Sequence, residues 1–282
     1  MRLRRVTEFW RRFARNRSAV VGLTVLVALL LMAALADILY PGNPLRLVGR
    51  PMQWPGSNPA FPFGTDRLGR DITAAIFHGA RVSLLIGFTA AAFSLVVGVT
   101  IGALSGFYRG VVEAILMRLA DLVQTIPPFL LALVLVAIMG ATVSNVALAI
   151  GIASWPPVAR IVRAEFMSLR EREFVQAATS AGMSDARLIF SELLPNALAP
   201  VTVLSSVLVA SAILTESSLA FLGLTDPNTV SWGTIIGMGR SEIRTAWYIS
   251  AMPGLFIFVT VLALNQINDG LNDTLNPRLK DR

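Results

Sequence analysis

The sequence Glu173-Phe-Val-Gln-Ala-Ala-Thr-Ser-Ala-Gly182 stands between two long apolar stretches, at about 144–163 and 199–222. It is too polar to cross a membrane and too regular for a linker. Its apolar residues recur at the i, i+3, i+4 and i+7 positions of one helix face: Phe174, Ala177, Ala178 and Ala181. Glycine at 182 is typical of a helix stop in the left-handed conformation. The segment is therefore predicted to be a short helix with one small apolar face.

A second short helix is predicted directly after this one. Ser184 or Asp185 can cap its amino end, and Pro195 is expected to end it. Two short helices joined at Gly182 would then project from the membrane, within a loop at about 164–198.

The composition indicates a membrane protein. Hydrophobic residues make up 55% of the 282 residues, charged residues only 15%, and the mean hydropathy is +0.67. A soluble core does not need that much apolar surface. At roughly 20 residues per crossing, the chain has room for about six crossings.

Six apolar stretches fit this expectation, and they lie at about 18–39, 82–105, 115–139, 144–163, 199–222 and 247–267. A basic arm, 1–17, precedes the first crossing, and the turn-rich segment 40–81 is expected outside the membrane. The other five crossings fall within 82–272, followed by a tail, 273–282. With both termini inside, seventeen basic residues face the cytoplasm and seven face out, as the positive-inside rule favours.

Several enzyme classes are excluded by residue usage. Lys280 is the only lysine and has no glycine-rich loop before it, which excludes a Walker-type nucleotide site. The chain has no cysteine, and His78 is its only histidine. Thiol chemistry and paired-histidine zinc motifs are thereby excluded. The basic arm is too short to form a nucleic-acid-binding module, so its predicted role is topology and attraction to lipid headgroups.

Two features inside the crossings concern helix shape. Gly98, Gly102 and Gly106 share one helix face, where a neighbouring helix can approach closely. The pair Pro127-Pro128 is expected to kink the third crossing, just after an expected ion pair between Arg118 and Asp121. The kink is either a structural bend or part of a gate.

Glu216 is an ionisable residue in the fifth crossing, followed by Ser217. Such a residue in a membrane segment either lines a pathway or makes an interhelical contact. Both readings stay open from the sequence, as does a position at the outer interface.

The segment from Glu173 to Gly182, followed thirteen residues later by Leu194-Pro195-Asn196, resembles the cytoplasmic "EAA" loop of binding-protein-dependent ABC importer permeases. Gln176 stands where that family usually has glutamate, while Glu173 lies one turn earlier. Other stretches resemble the second, C-type permease of the dipeptide/oligopeptide/nickel branch: Phe63-Gly-Thr-Asp-Arg-Leu-Gly-Arg-Asp71, Gly79-Ala-Arg-Val-Ser83, Glu216-Ser-Ser-Leu-Ala-Phe-Leu-Gly-Leu224, Ser231-Trp-Gly233, Asp269-Gly-Leu271 and Asn276-Pro-Arg278.

The resemblance implies an all-α membrane protein with the type I ABC importer fold, about six transmembrane helices and a cytoplasmic coupling-helix loop. It implies a multi-pass subunit of the bacterial inner membrane that imports peptides or similar small solutes. The implied partners are a homologous second permease, two cytoplasmic ATPase subunits that bind ATP and Mg²⁺, and an extracytoplasmic solute-binding protein. No cofactor or metal is expected in this chain itself.

The resemblance also implies roles for individual residues. The residues implied in contact with the ATPase are Glu173, Phe174, Gln176, Ala177, Ala178, Ala181, Gly182 and Pro195. Apart from the resemblance, the kink and the ionisable residue in the fifth crossing supply the candidates for a pathway or gate: Glu216, Ser217, Pro127 and Pro128.

An ion-coupled secondary transporter is the main alternative, and it would use membrane-embedded ionisable residues, for which Glu216 is the one good candidate. An intramembrane protease is weaker, because His78, Asp37 and Asp121 are poorly placed for it. The sequence leaves the solute open among dipeptides, longer peptides, peptide-like metabolites and nickel complexes.

Overall fold

The structure, a computed structural model, describes residues 10–275 with the exception of Arg12. Most of the basic arm and of the tail, including Lys280, lies outside the described residues. The described helices are α1 (Arg17–Ala34), α2 (Ala36–Leu39), α3 (Ile72–Tyr108), α4 (Gly110–Gln124), α5 (Pro128–Met139), α6 (Val143–Arg170), α7 (Glu173–Ser180), α8 (Asp185–Arg187), α9 (Leu194–Phe221), α10 (Trp232–Met238) and α11 (Tyr248–Leu275). A π-helical segment, Leu188–Leu193, joins α8 to α9.

The number of membrane crossings agrees with the sequence. Within the described residues, α1, α3, α6, α9 and α11 are long and apolar enough to cross a membrane. The pair α4 and α5 makes a sixth crossing if it is counted as one broken span. The all-α membrane fold is thereby confirmed.

The helix α3 begins earlier than the sequence suggested. The apolar stretch starts at about residue 82, but the helix starts at Ile72, where the Asp71 carboxylate caps it by accepting a hydrogen bond from the Thr73 N–H at 2.7 Å. At 1.5 Å per residue, the 37 residues of α3 span about 55 Å. That is well beyond the ~30 Å of a hydrocarbon core. The helix therefore extends out of the hydrocarbon.

The third crossing is broken and not merely kinked. The axes of α4 and α5 meet at 83°. Pro128 restricts the residue before it to extended backbone, and Pro127 accordingly has φ −52° and ψ 133°. Pro128 itself is then the first residue of α5. The two prolines thus mark the start of a new helix. The expected kink is a break between α4 and α5.

Three glycines hold α3 against α6, as their spacing predicted. A Cβ atom added at Gly98, Gly102 or Gly106 would lie 2.5 to 2.7 Å from atoms of α6. At Gly102 the nearest atom is the carbonyl oxygen of Ala159, at 2.5 Å. A similar close approach joins the two ends of the chain, where a Cβ at Gly22 of α1 would lie 2.6 Å from the Ala263 carbonyl oxygen of α11.

Ion pairs connect α4 to α6 on the half of the protein that carries α7. Arg160 donates to Asp121 at 2.6 Å, and Arg163 pairs with Glu113. The expected pair of Arg118 with Asp121 is wrong, because Asp121 is engaged by the neighbouring helix. Within the described part of the chain, Arg118 is exposed and forms no ion pair.

Candidate coupling site

The helix α7 is short and is held to the protein by one buried side chain. Val175 is 1% exposed and belongs to an apolar cluster shared by α3, α6, the π-helical segment and α9. Phe166 and Leu193, both fully buried, lie in the same cluster. This contact fixes α7 against the carboxyl end of α6 and the amino end of α9. The sequence pattern did not predict a buried role for Val175, because the predicted apolar face consists of Phe174, Ala177, Ala178 and Ala181.

Most residues of the predicted apolar face of α7 are exposed in the structure. Phe174, Ala177 and Ala181 are exposed, with 42% of the Phe174 residue surface accessible. Ala178 is an exception and a correction. It is partly buried and packs against the cluster around Val175, because it lies one turn after Val175 on the inward side. Ala178 therefore contacts its own chain and does not lie on the free face.

The polar residues of α7 are exposed. Glu173 lies in the first turn, where a carboxylate interacts favourably with the positive end of the helix dipole. The Gln176 amide donates to the Glu171 carbonyl oxygen at 3.2 Å, so it stabilises the turn that enters the helix. Glu173 and Gln176 are thus exposed polar residues on the same short helix as the apolar face.

Gly182 ends α7 as predicted. Its φ of +79° is left-handed, and its N–H bonds the Thr179 carbonyl oxygen at 3.0 Å. The Met183 N–H bonds the Ala178 carbonyl oxygen at 3.1 Å. These two bonds together form a Schellman motif, which sets the direction of the following chain.

The prediction that Pro195 ends the second short helix is wrong. Pro195 lies in the first turn of α9, where its missing N–H leaves no helix hydrogen bond unmade. The chain reaches it through the π-helical segment, in which the Leu194 N–H bonds the Ile189 carbonyl oxygen, five residues earlier. The chain from Asp185 to Phe221 is therefore helical throughout, with the π-helical segment between α8 and α9.

The joint between α6 and α7 is fixed by two arginines. Arg170 donates to the Phe107 carbonyl oxygen, and its guanidinium carbon lies 5.2 Å from the centre of the Phe107 ring. Arg109 donates to Glu171 at 3.0 Å and to the Met167 carbonyl oxygen at 3.2 Å. These three bonds tie the end of α3 to the end of α6, so α7 projects from a braced corner.

Glu216 makes an interhelical contact. It is fully buried, and its Oε2 atom lies 3.4 Å from the hydroxyls of Ser83 in α3 and of Ser217. The same Ser83 hydroxyl accepts a hydrogen bond from the Trp232 N–H at 3.1 Å, which brings in α10. Glu216 thus contributes to a buried contact among α3, α9 and α10, and its role in a pathway stays a prediction.

Of the other gate candidates, Ser217 lines a groove, whereas Pro127 and Pro128 do not. A groove of about 520 Å³ is lined by Phe129, Leu214, Ser217, Ser218, Phe221, Leu222, Ile236, Gly254 and Ile257. It includes Ser217 and the residue that follows Pro128, but neither Glu216 nor Pro127. The structure thus brings the start of α5 to the same groove as Ser217, and the carboxylate of the neighbouring Glu216 is buried beside it.

The contact role of Glu216 leads to a testable prediction. Glu216→Gln keeps the volume and an acceptor for Ser83, so we expect little change in thermal stability or uptake. Glu216→Ala removes the acceptor and leaves a cavity, and we expect it to cost about 2 kcal/mol or more. Thermal unfolding of the permease in nanodiscs checks both. A Glu216→Gln variant with full stability and no transport would instead establish the pathway reading.

Comparison with known proteins identifies the family. The sequence model described as "Binding-protein-dependent transport system inner membrane component" matches residues 98–281. The chain belongs to this family. A second model, the N-terminal transmembrane domain of oligopeptide transport permease C, matches residues 5–54. The chain is therefore a permease subunit of an ABC importer and an inner membrane component, as the sequence predicted, and the secondary-transporter alternative is not supported.

Individual relatives in this permease family cover nearly the whole chain. The di/tripeptide transport system permease protein of Pseudomonas aeruginosa is 39% identical over 280 residues, which is 97% of this chain and 92% of that protein. The dipeptide permease of Escherichia coli K12 is 40% identical over 279 residues, 97% of this chain and 93% of the relative. The glutathione permease of Pectobacterium atrosepticum is 36% identical over 274 residues, 97% and 91% respectively.

A solved structure supports the fold of this permease. An inward-facing form of the MetNI methionine ABC transporter matches with a TM-score of 0.60 and 16% identity. The match covers 72% of this chain and 96% of the solved chain. At that identity the similarity concerns the fold, which is that of an importer permease.

Proposed function

We propose that this permease imports short peptides and receives its energy from partner ATPases through α7. The observation that carries the proposal is a braced helix with an exposed apolar face, formed by Phe174 and the small residues Ala177 and Ala181, at the corner between α6 and α9. Small residues permit close approach of a partner surface. The two cytoplasmic ATPases would bind ATP and Mg²⁺, since the sequence of this chain holds no Walker-type site.

The connections of α7 support the transmission of force. Val175 joins α7 to the same cluster as Phe166 of α6 and Ala197 of α9. A tightly packed cluster transmits displacement because it has little free volume to absorb it. When two ATPases close, the movement of α7 would carry α6 and α9 with it. The Gly98 to Gly106 contact would pass the movement of α6 on to α3.

The translocation path would be shared with a second, homologous permease. The 520 Å³ groove between α5, α9 and α11 is open on one side, and a second subunit would close it. Its lining is mostly apolar, with the hydroxyls of Ser217 and Ser218 as polar groups. Such a surface suits solutes with varied side chains, because it provides few directional contacts.

The names of the relatives support peptides as the solute. Curated relatives are described as permeases for di- and tripeptides, dipeptides and glutathione, and glutathione is itself a tripeptide. In an importer of this type, the solute-binding protein would carry most of the selectivity. We therefore propose di- and tripeptides as the solute class, delivered from outside by that protein.

Uptake by the assembled importer tests this proposal. The permease, its partner permease, the ATPases and the binding protein are reconstituted in liposomes, and radiolabelled dipeptides, tripeptides and a nickel chelate are offered separately. We expect ATP-dependent accumulation of the peptides that persists when ionophores collapse the ion gradients. Accumulation that stops with ionophores, or that is confined to the nickel chelate, would contradict the proposal.

The proposed orientation places both termini in the cytoplasm. Because the chain contains no cysteine, single introduced cysteines report sidedness without background. We predict that Asn58→Cys reacts with an impermeant maleimide in intact cells, whereas Ala186→Cys, beside α7, reacts only after permeabilisation. Labelling of Ala186→Cys in intact cells would overturn the six-crossing topology.

A further inference from the structure

The segment between α2 and α3, residues 40–71, folds into a compact unit that we call the outer cap. Thr65 lies at its centre and is fully buried. Its hydroxyl donates to the Arg50 carbonyl oxygen at 2.6 Å and accepts from the Gln53 N–H at 3.0 Å. Its carbonyl oxygen accepts a hydrogen bond from the Tyr248 hydroxyl at 3.1 Å, which fixes the outer cap to α11. The outer cap is therefore a preformed surface and not a loose loop.

Two arginines project from hydrogen-bonded segments of this unit. The Met52 N–H bonds the Asp66 carbonyl oxygen at 2.9 Å, so Arg50 and Arg67 lie on neighbouring segments. The Asp66 carboxylate is engaged by the backbone N–H groups of Leu68 and Arg70, each at 2.8 Å. Among the described residues, Arg50 and Arg67 form no ion pair, and both are exposed. The outer cap thus presents uncompensated positive charge.

Two exposed tryptophans meet at the outer cap, one from the cap itself and one from the residue before α11. Trp54 follows Arg50 by four residues and contacts Trp247, with ring centres 6.3 Å apart. Despite this contact, 49% of Trp54 and 52% of Trp247 remain exposed. Arg244, three residues before Trp247, is also exposed. Tryptophan and arginine are the residues most enriched at the energetic centres of protein interfaces.

We propose that Arg50, Arg67, Trp54 and Trp247 form a docking face for an acidic surface of the soluble solute-binding protein. The inference rests on the proposed function and orientation, which place the outer cap outside the membrane. Charge indicates the partner: residues 40–71 contain four arginines and two aspartates, although positive residues are normally depleted on that side. An acidic partner would compensate this charge and be steered towards it before contact.

The height of the outer cap favours a soluble partner over lipid headgroups. It is carried by the amino end of α3, and the 37 residues of that helix exceed a hydrocarbon core by about 25 Å in total. A surface raised above the bilayer is accessible to a soluble protein. The family description, "binding-protein-dependent", names a partner of that kind.

Binding kinetics on the assembled importer test the docking face. The importer is held in nanodiscs, and association of the purified solute-binding protein is followed by biolayer interferometry at several salt concentrations. For Arg50→Glu/Arg67→Glu we expect at least tenfold slower association and a weaker salt dependence. For Trp247→Ala we expect at least tenfold faster dissociation. Arg15→Glu, an exposed arginine at the other end of α1, is the matched control and is expected to bind normally.

The outcomes separate this inference from the proposed function. If wild-type importer binds the protein and transports, but both variants bind like wild type, the docking face is wrong and the proposed function stands. If wild-type importer neither binds it nor transports peptides, the proposed function fails. If the variants instead lose affinity only in nanodiscs with anionic lipids, the outer cap is a headgroup site, and the inference is overturned. Thermal unfolding of each variant identifies misfolding, and Arg50→Gln/Arg67→Gln then provides a milder test with the same expected direction.

Discussion

Ala177→Glu is expected to abolish ATP-driven uptake while the permease still inserts and folds. Ala177 is exposed on α7 beside Phe174, so the isolated chain tolerates a carboxylate there. In the assembled importer the same carboxylate would be buried without a partner, which costs several kcal/mol at a protein contact. Typical surface substitutions cost less than about 0.5 kcal/mol. Co-purification of the ATPase subunits and peptide uptake are the two measurements.

Two further variants sharpen this experiment. Asp185→Ala lies just beyond Gly182, off the exposed face, and is expected to retain assembly and most of the uptake. Ala178→Glu, on the inward side of α7, is expected to lower the thermal stability of the chain itself, because Ala178 packs against the cluster around Val175. Normal assembly and uptake of the Ala177→Glu variant would show that the exposed face of α7 does not contact the ATPase.

Gly102→Leu is expected to prevent accumulation of folded permease. A Cβ at this position would lie 2.5 Å from the Ala159 carbonyl oxygen and 2.7 Å from the Val162 Cβ. Because the nearest atom belongs to the backbone of α6, a rotamer change cannot relieve the clash. Inserting methylenes into a packed core costs about 1 to 3 kcal/mol. A separation of α3 from α6 adds the loss of their neighbouring contacts.

The control for this prediction is another helical glycine. A Cβ added at Gly254 of α11 would meet no atom within 4 Å, so Gly254→Ala is expected to accumulate normally. Membrane abundance and the melting temperature of the purified permease are compared for the two variants. A Gly102→Leu permease that melts within a few degrees of the native protein would show that α3 and α6 do not depend on this contact.

The parts of the fold that the sequence predicted are those set by local chemistry. The crossings follow from apolar length, and the end of α7 at Gly182 follows from the one residue type that adopts φ of +79° without strain. The close contact at Gly102 follows from spacing. In each case the residues concerned are near neighbours along the chain, so the feature can be predicted from the sequence alone.

The predictions that failed depend on distant partners. Asp121 pairs with Arg160, 39 residues later, and not with the neighbouring Arg118. Ala178 is partly buried because Val175, and not the wider apolar face, is the residue that contacts the cluster. Pro195 lies in the first turn of α9, directly after a π-helical segment that the sequence pattern does not predict. Helix spacing alone does not reveal which side of a short helix faces its own protein.

The contact between α7 and an ATPase subunit is most directly tested by cross-linking. Ala177→Cys introduces the sole cysteine of the chain, and a photoreactive maleimide on it is activated in the assembled importer. We expect a cross-link to an ATPase subunit, and none from Asn58→Cys in the outer cap. A cross-link from position 177 to the second permease alone, with no ATPase product, would contradict the proposed coupling site.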